Sequence, residues 1–133
     1  MKKLHRKLVK KTSRKSLVAK LDKLVSEQVR AIGKCERCGK KETLQTAHIY
    51  SRNYKHLRWD YENLLCLCSG CHFWWHLNPV EAILWVGGLK DLKYLAKMRQ
   101  NTTPIKDWEL VDLYKYLTDD FNKHDLDVSN ENA

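Results

Sequence analysis

The pattern of apolar and polar residues predicts a long helix near the beginning of the chain. Apolar residues recur every three or four positions between residues 14 and 32, which places them on one stripe of a helix. They are Val18, Leu21, Val25, Val29 and Ile32. Gly33 follows and is typical of a helix end, because glycine adopts positive φ without steric cost. Residues 1–13 precede this pattern and are predicted to form a disordered basic tail.

The period of the pattern changes in the middle of the chain. Residues 43–50 alternate and include β-branched side chains, which predicts a strand. Residues 51–62 are polar and aromatic without a clear period and are predicted to form a loop, with a short turn of helix inside it as the alternative. A second short strand is predicted over residues 63–67, and a helix over residues 68–77. The order strand, loop, strand and helix defines a ββα unit.

The last part of the chain is predicted to be helical. The sequence Asn78-Pro79-Val80-Glu81 is a typical helix start, because asparagine caps, proline fits the first turn and the glutamate can reach back. Gly87-Gly88 then interrupts the pattern. Further helices are predicted over residues 89–99 and 108–121. The elements together predict a fold of the α+β class.

The length of the chain fits one small domain. A chain of 133 residues is long enough for one domain and too short for two ordinary ones. We expect a basic tail and helix over residues 1–34, a ββα core over residues 35–78, and helices packing on that core over residues 79–133. No run of 18 apolar residues and no secretory signal occurs, so we expect a cytoplasmic protein without a membrane partner. The pattern indicates no particular oligomeric state.

Positive charge is concentrated at the beginning of the chain. The formal net charge of the whole chain is +9. Residues 1–34 carry 12 lysines and arginines against 2 acidic residues, whereas residues 103–133 carry 3 against 8. A basic segment of this kind favours a polyanion, most simply nucleic acid, as the binding partner. A solvated basic helix face is the alternative interpretation.

Four of the five cysteines form two closely spaced pairs. Cys35 and Cys38 form one Cys-x2-Cys pair, and Cys68 and Cys71 form the other. Four thiolates in this arrangement match a closed tetrahedral site, so we predict one structural Zn²⁺. The pattern fits metal binding in a reducing compartment better than disulfides. Cys66, the fifth cysteine, is predicted to be a buried core thiol, with a role as a surrogate ligand as the alternative.

A histidine, an asparagine and two further histidines stand between and after the cysteine pairs. The whole order is C-x2-C-x9-H-x14-N-x4-C-x2-C-H-x3-H. His72 and His76 are four residues apart on the predicted helix, so their side chains share one face, as metal ligands do. His48 lies on the first predicted strand or at its end, where a neutral imidazole could take a proton from water. Attack of that water on phosphorus calls for a divalent ion that stabilises the developing charge.

The stretch from Cys35 to His76 resembles the zinc-bracketed branch of the HNH endonuclease family, whose fold is the ββα-metal core. The resemblance depends on the spacing of these residues and covers about a third of the chain. It implies a core held together by a structural zinc ion, DNA as the substrate, and hydrolysis of phosphodiester bonds with His48 as general base. It implies that Asn63 fixes the loop between the strands, and that His72 and His76 hold one catalytic divalent ion: Mg²⁺, Mn²⁺, Ni²⁺ or Zn²⁺. A weaker similarity to phage-encoded HNH proteins implies the cytoplasm of a host cell.

One position departs from the family pattern and leaves two further functions open. Many HNH proteins have Asp or His directly before the general base as a third metal ligand, whereas this chain has Ala47. The ion would then be held by His72, His76, water and substrate phosphate. The alternatives are a non-catalytic zinc-containing DNA-binding module and a protein-docking adaptor that uses the acidic C-terminal helix.

Basic residues in two segments are the candidate DNA contacts. In the predicted loop between the strands, Arg52 and Arg58 could clamp a phosphate. In the basic segment, the candidates are Lys7, Lys10, Lys11, Arg14 and Lys15. Contacts of this kind hold phosphate without reading the base sequence. Solvated loop side chains are the alternative interpretation of the two loop arginines.

Overall fold

The computed structural model describes residues 13–131, and it describes side chains for residues 13–119. The predicted basic tail lies outside the described residues, apart from Ser13. The described elements, in chain order, are α1 (Arg14–Arg30), β1 (Leu44–His48), α2 (Lys55–Arg58), a 3-10 turn (Tyr61–Asn63), β2 (Leu64–Cys68), α3 (Ser69–Leu77), α4 (Pro79–Val86), α5 (Leu92–Arg99) and α6 (Asp107–Glu131). Helices together with a small antiparallel sheet confirm the predicted α+β class.

The two strands form the frame on which the candidate residues are arranged. Leu44 pairs with Cys68 at one end of the sheet, and His48 pairs with Leu64 at the other. All five residues of β2 are buried, so this strand is a continuous apolar run rather than an alternating one. Both predicted strands are confirmed, with their ends shifted by one or two residues.

Apolar side chains from the sheet and from the two helices that follow it form one core. Ala47 on β1 and Leu67 on β2 belong to this core, together with Trp75 on α3 and Val86 on α4. The thiols of the second cysteine pair belong to it as well. Burial of a large apolar side chain is worth roughly 1.5–3 kcal/mol, so this core holds α3 and α4 against the sheet.

The 3-10 turn is tied to the beginning of α5 by polar contacts. Asp60 accepts hydrogen bonds from the backbone N–H of Glu62 at 3.0 Å and from the hydroxyl of Tyr94. The hydrogen bond to Asp60, followed by burial, raises the pKa of Tyr94 to about 12. Asp91 donates its backbone N–H to the Glu62 carboxylate at 2.7 Å, and its own side chain caps the next helix. The helix therefore begins at Leu92 rather than at residue 89.

One predicted helix cap is wrong. Asn78 precedes α4 and Pro79 occupies its first turn, but the Asn78 side chain makes no capping hydrogen bond to α4. Its Nδ2 instead donates to the carbonyl oxygen of Trp74 at 3.0 Å, and its backbone N–H donates to the same oxygen at 2.9 Å. Asn78 therefore satisfies the open end of α3, because α3 and α4 follow one another directly and share this residue.

The described residues fall into two compact units. One comprises the described parts of Met1–Val25 and Pro104–Ala133, and the other comprises Ser26–Thr103. In the first unit, Arg14 and Asp107 form an ion pair of 2.7 Å. The second unit contains all the residues predicted to be catalytic or metal-binding. None of the helices in the described part of the chain has both the length and the apolar composition that crossing a membrane requires.

Candidate metal centre and histidine pair

Four thiols meet where β2 passes into α3. Cys35 and Cys38 come from the turn after α1, Cys68 ends β2, and Cys71 lies in the first turn of α3. Their Sγ atoms all lie within 4.8 Å of one another, and those of Cys38 and Cys68 are 3.6 Å apart. Sulfur ligands at about 2.3 Å from a tetrahedral ion are separated by about 3.8 Å. The four cysteines, which we term the thiol cluster, are therefore positioned to hold a metal ion.

A tight turn shapes the first cysteine pair and ties it to β2. The backbone N–H of Cys35 donates to the carbonyl of Lys40 at 2.7 Å, and that of Gly39 donates to the carbonyl of Cys35 at 2.9 Å. Gly39 has a φ of 81°, which glycine adopts without strain. Glu36 and Cys66 form two hydrogen bonds. The backbone N–H of Glu36 donates to the carbonyl oxygen of Cys66 at 2.8 Å, and the backbone N–H of Cys66 donates to the Glu36 carboxylate at 3.0 Å. These bonds fix the turn beside the end of β2.

Cys66 is a buried thiol outside the thiol cluster. Burial raises its pKa, and the nearby Glu36 carboxylate raises it further. A protonated thiol in such surroundings packs as a small hydrophobic residue. The interpretation of Cys66 as a core residue is therefore confirmed.

Without a metal ion, the thiol cluster resists carrying several negative charges. Burial raises the pKa of Cys35, but hydrogen bonds from the backbone and from Cys38 outweigh burial and lower this pKa to about 6. Burial also raises the pKa of Cys71, and although Arg37 lowers it, the neighbouring thiols bring this pKa to about 12. The thiol of Cys35 therefore loses its proton readily, whereas the thiol of Cys71 keeps its proton. A divalent ion bound in the cluster would favour deprotonation of all four thiols, because its charge stabilises the thiolates.

Arg37 is a contact of the thiol cluster that the cysteine spacing does not predict. Its Nη1 donates to the Sγ of Cys71 at 3.4 Å, and its Cζ lies 3.5 Å from the centroid of the Trp74 ring. The ring holds the guanidinium in place by a cation–π interaction, and the positive charge offsets the negative charge of the thiolates. The one sequence signal for this contact is a basic residue inside the first cysteine pair.

Two imidazoles meet on α3. His72 and His76 lie one helical turn apart, and their Nε2 atoms are separated by 3.1 Å. The Nδ1 of His72 lies 2.7 Å from the Oε1 of Gln45 on β1. Burial, followed by the neighbouring His76, lowers the pKa of His72, which favours the neutral imidazole that binds metals. In the described part of the chain, no third Cys, His, Asp or Glu ligand atom joins these two residues, which we term the histidine pair.

His48 ends β1 and is half-buried. Because side chains alternate along a strand, His48 shares its face with Thr46, whereas Gln45 and Ala47 share the opposite face. The hydroxyl of Thr46 lies 3.0 Å from that of Ser26 on α1. The structure thus brings Gln45 to the histidine pair, and it places His48 at the end of the same strand.

Ala47 is part of the packed core rather than of an open site. It is 1% exposed and packs in the cluster that contains Leu65 and Trp75. A carboxylate at this position would be buried among apolar side chains, at a cost of several kcal/mol unless a cation were bound beside it. The position directly before His48 is therefore filled by core packing and offers no metal ligand.

Asn63 holds the chain that follows His48. It is 0% exposed, and its Oδ1 accepts a hydrogen bond from the backbone N–H of Tyr50 at 2.8 Å. Its Nδ2 donates to the carbonyl oxygens of Tyr50 at 3.0 Å and Leu57 at 3.1 Å. The backbone N–H of Ile49 donates to the Asn63 carbonyl at 2.9 Å. One buried side chain thus fixes both sides of the loop between the strands.

The candidate DNA contacts differ in their surroundings. Arg52 is exposed, and the Nη1 of Arg58 lies 3.5 Å from the Arg52 carbonyl oxygen. The guanidinium of Arg58 also lies 5.6 Å from the centroid of the Trp59 ring. Arg14 is paired with a carboxylate on α6, and Lys15 is exposed. The remaining candidates lie outside the described residues, namely Lys7, Lys10 and Lys11.

The chain therefore combines a mostly buried thiol cluster at the start of α3 with a more exposed histidine pair further along this helix. Comparison with protein-family models, with curated proteins and with solved structures found no match.

We expect purified protein to contain about one tightly bound metal ion per chain, because a closed site of four thiolates holds one ion. Cys35→Ser and Cys71→Ser should release it, since each removes a ligand, and elemental analysis of desalted protein measures the ratio. Cys66→Ala is the matched control and should retain the ion. Lowering the pH should release the ion, because protons compete for the thiolates. A folded, reduced wild-type protein without metal would contradict this prediction.

Asn63→Ala should lower the free energy of unfolding by about 3 kcal/mol, because it leaves buried backbone groups of the loop without their hydrogen bonds. Urea denaturation of the metal-loaded protein measures this change. The control is Asn53→Ala, which alters an exposed asparagine of the same loop and should change stability by less than about 0.5 kcal/mol. Equal effects of the two substitutions would show that the Asn63 side chain does not support the loop.

Proposed function

We propose that this protein is a metal-dependent DNA endonuclease of the HNH type, with a structural zinc ion in the thiol cluster. The observation that carries the proposal is the approach of two Nε2 atoms to 3.1 Å on α3, on the helix packed against the strand that ends in His48. This arrangement combines a metal-binding pair with a candidate general base. The residues present fit both metal ions.

The donor set of the thiol cluster supports zinc. Four sulfur ligands in a closed tetrahedral arrangement suit Zn²⁺, which has no geometric preference of its own and binds thiolates well. The cluster joins the turn after α1 to the junction of β2 and α3. Zinc bound there would stabilise the fold directly, because the unfolded chain has no preformed site.

The histidine pair fits a second divalent ion. Nitrogen ligands lie about 2.0–2.1 Å from a metal ion, so two of them on adjacent positions are separated by roughly 3 Å, close to the observed 3.1 Å. A divalent ion there would supply electrostatic stabilisation of the charge that develops on a phosphate. Because Ala47 offers no ligand, water and substrate phosphate would complete the coordination.

His48 is the proposed general base. A neutral imidazole there takes a proton from water while the water oxygen forms a bond to phosphorus and the bond from phosphorus to the 3′-oxygen breaks. The chain directly after His48 is held by Asn63 through both Ile49 and Tyr50. This support would hold the imidazole in a defined place relative to a bound phosphate, which is a requirement of general-base catalysis.

DNA is the proposed substrate because of the charge distribution. The concentration of lysine and arginine in residues 1–34 provides electrostatic attraction to phosphate, and the exposed Arg52 and Lys15 extend positive charge into the described part of the chain. The competing function is a non-catalytic zinc-containing DNA-binding module. It is favoured by one observation, the burial of Ala47 where a third metal ligand would stand.

His48→Ala should reduce plasmid cleavage by about 10²–10⁴-fold, because it removes the general base. The assay compares Mg²⁺, Mn²⁺ and Ni²⁺ with a chelator. His76→Ala should also lose activity, but excess metal ion should restore part of it, whereas excess metal should not restore His48→Ala. The matched control is His56→Ala, because His56 contacts the Thr103 carbonyl oxygen and lies outside the proposed site.

Two outcomes of this assay would contradict the proposal. If zinc-loaded wild-type protein binds DNA but cuts none with any divalent ion, the non-catalytic module is the better description. If His48→Ala cuts as fast as wild type, the general base is a different residue.

Replacing the six lysines and arginines of residues 1–12 by glutamine should weaken DNA binding and flatten its salt dependence. Each phosphate contact contributes about −0.9 to the slope of log K against log salt concentration, so loss of several contacts is measurable by titration at several salt concentrations. Cleavage at saturating DNA should change little, because these residues are not part of the proposed site. An unchanged slope would show that this segment does not contact phosphate.

A further inference from the structure

Gln45 is the residue on β1 that reaches the histidine pair. Its Oε1 lies 2.7 Å from the Nδ1 of His72. An amide oxygen can only accept a hydrogen bond, so the hydrogen in this bond belongs to Nδ1. A neutral imidazole has one N–H, and the Nε2 of His72 must therefore carry a lone pair. This Nε2 is the atom that lies 3.1 Å from the Nε2 of His76.

We propose that Gln45 is a positioning residue that sets the tautomer and ring orientation of His72 for binding a divalent metal ion. This inference rests on the proposed second metal site. Histidines that bind metals through one ring nitrogen usually donate the other N–H to an oxygen acceptor, which fixes the ring and raises its basicity. Gln45 provides such an acceptor from a strand, while both histidines come from one helix.

Gln45 acts on the ring and is not itself a third ligand. Its oxygen contacts Nδ1, whereas the metal-facing atoms of the pair are the two Nε2 atoms. Ala47, two residues further along the same face of β1, presents only a methyl group. A site with two protein ligands instead of three depends more strongly on the orientation of those two rings for its affinity for the ion. The sequence does not predict this contact, because 27 residues separate Gln45 from His72.

The tautomer of His72 can be measured without a metal ion at the histidine pair. Long-range ¹H–¹⁵N correlation spectra of the zinc-loaded protein, recorded where His72 is neutral, distinguish a hydrogen on Nδ1 from one on Nε2. We expect the hydrogen on Nδ1 in wild type and in Gln45→Glu, which keeps an oxygen acceptor. In Gln45→Ala we expect a shift toward Nε2–H. The control Gln100→Ala alters an exposed glutamine on another element and should leave the spectrum of His72 unchanged.

Affinity for Mn²⁺ or Ni²⁺, measured by calorimetry on the same zinc-loaded variants, tests the consequence. Gln45→Ala should weaken binding by about 10–100-fold, Gln45→Glu should retain it, and His76→Ala should lose it. Because Gln45 is exposed, Gln45→Ala should fold, and retained zinc and circular dichroism verify this.

The outcomes separate this inference from the proposed function. If wild type binds the ion and His76→Ala does not, while Gln45→Ala keeps both tautomer and affinity, the role of Gln45 is overturned and the metal site stands. If wild type binds no ion although His72 has its hydrogen on Nδ1, the proposed metal site fails, and positioning for a metal fails with it. A wild-type hydrogen on Nε2 overturns the inference directly.

Discussion

The pairing of β1 with the fully buried β2 determines where the candidate residues lie. Its register sets Leu44 opposite Cys68 at one end and His48 opposite Leu64 at the other. The thiol cluster therefore forms at one end of the sheet, and the candidate base stands at the other. Because side chains alternate along a strand, a shift of one residue would turn Gln45 away from the histidine pair. The alternation on β1 opposes such a shift, since it would carry the buried Ala47 out of the core and turn the polar Thr46 and His48 into it.

Helix α3 connects the thiol cluster to the histidine pair. Cys68 caps its beginning, Cys71 lies in its first turn, and the histidine pair occupies the turns that follow. A metal ion bound in the thiol cluster would fix the start of this helix and, with it, the direction in which both imidazoles point. The position of the histidine pair depends on the thiol cluster more than the thiol cluster depends on the pair, because the cluster is mostly buried whereas His76 is exposed. Under the proposed function, loss of the second ion from the histidine pair would leave the thiol cluster and the core around it intact.

Local spacing was sufficient to predict the strands, most of the longer helices and the thiol cluster, but it set the end of the last helix at residue 121, whereas α6 extends to Glu131. A Cys-x2-Cys turn brings two thiols together whatever the rest of the fold does, and the strands were predicted to within two residues. Contacts between distant residues could not be predicted, because they depend on register and on the packing of helices. Gln45 meets His72 only in the observed register, and Arg37 meets Cys71 only once both cysteine pairs have come together. The cap at Asn78 was predicted wrongly, because two helix ends compete for one side chain.

The buried methyl group of Ala47 explains how a two-histidine site is compatible with this core. An ionised carboxylate at that position would need a cation beside it at all times, because an unpaired buried charge costs several kcal/mol. Alanine has no charge to neutralise, so the packing of this part of the core does not require a cation beside it. Under the proposed function, the consequence is a weaker resting affinity for the ion. Phosphate oxygens would then supply the ligand that β1 does not, and because such coupling is reciprocal, DNA and the divalent ion would strengthen each other's binding.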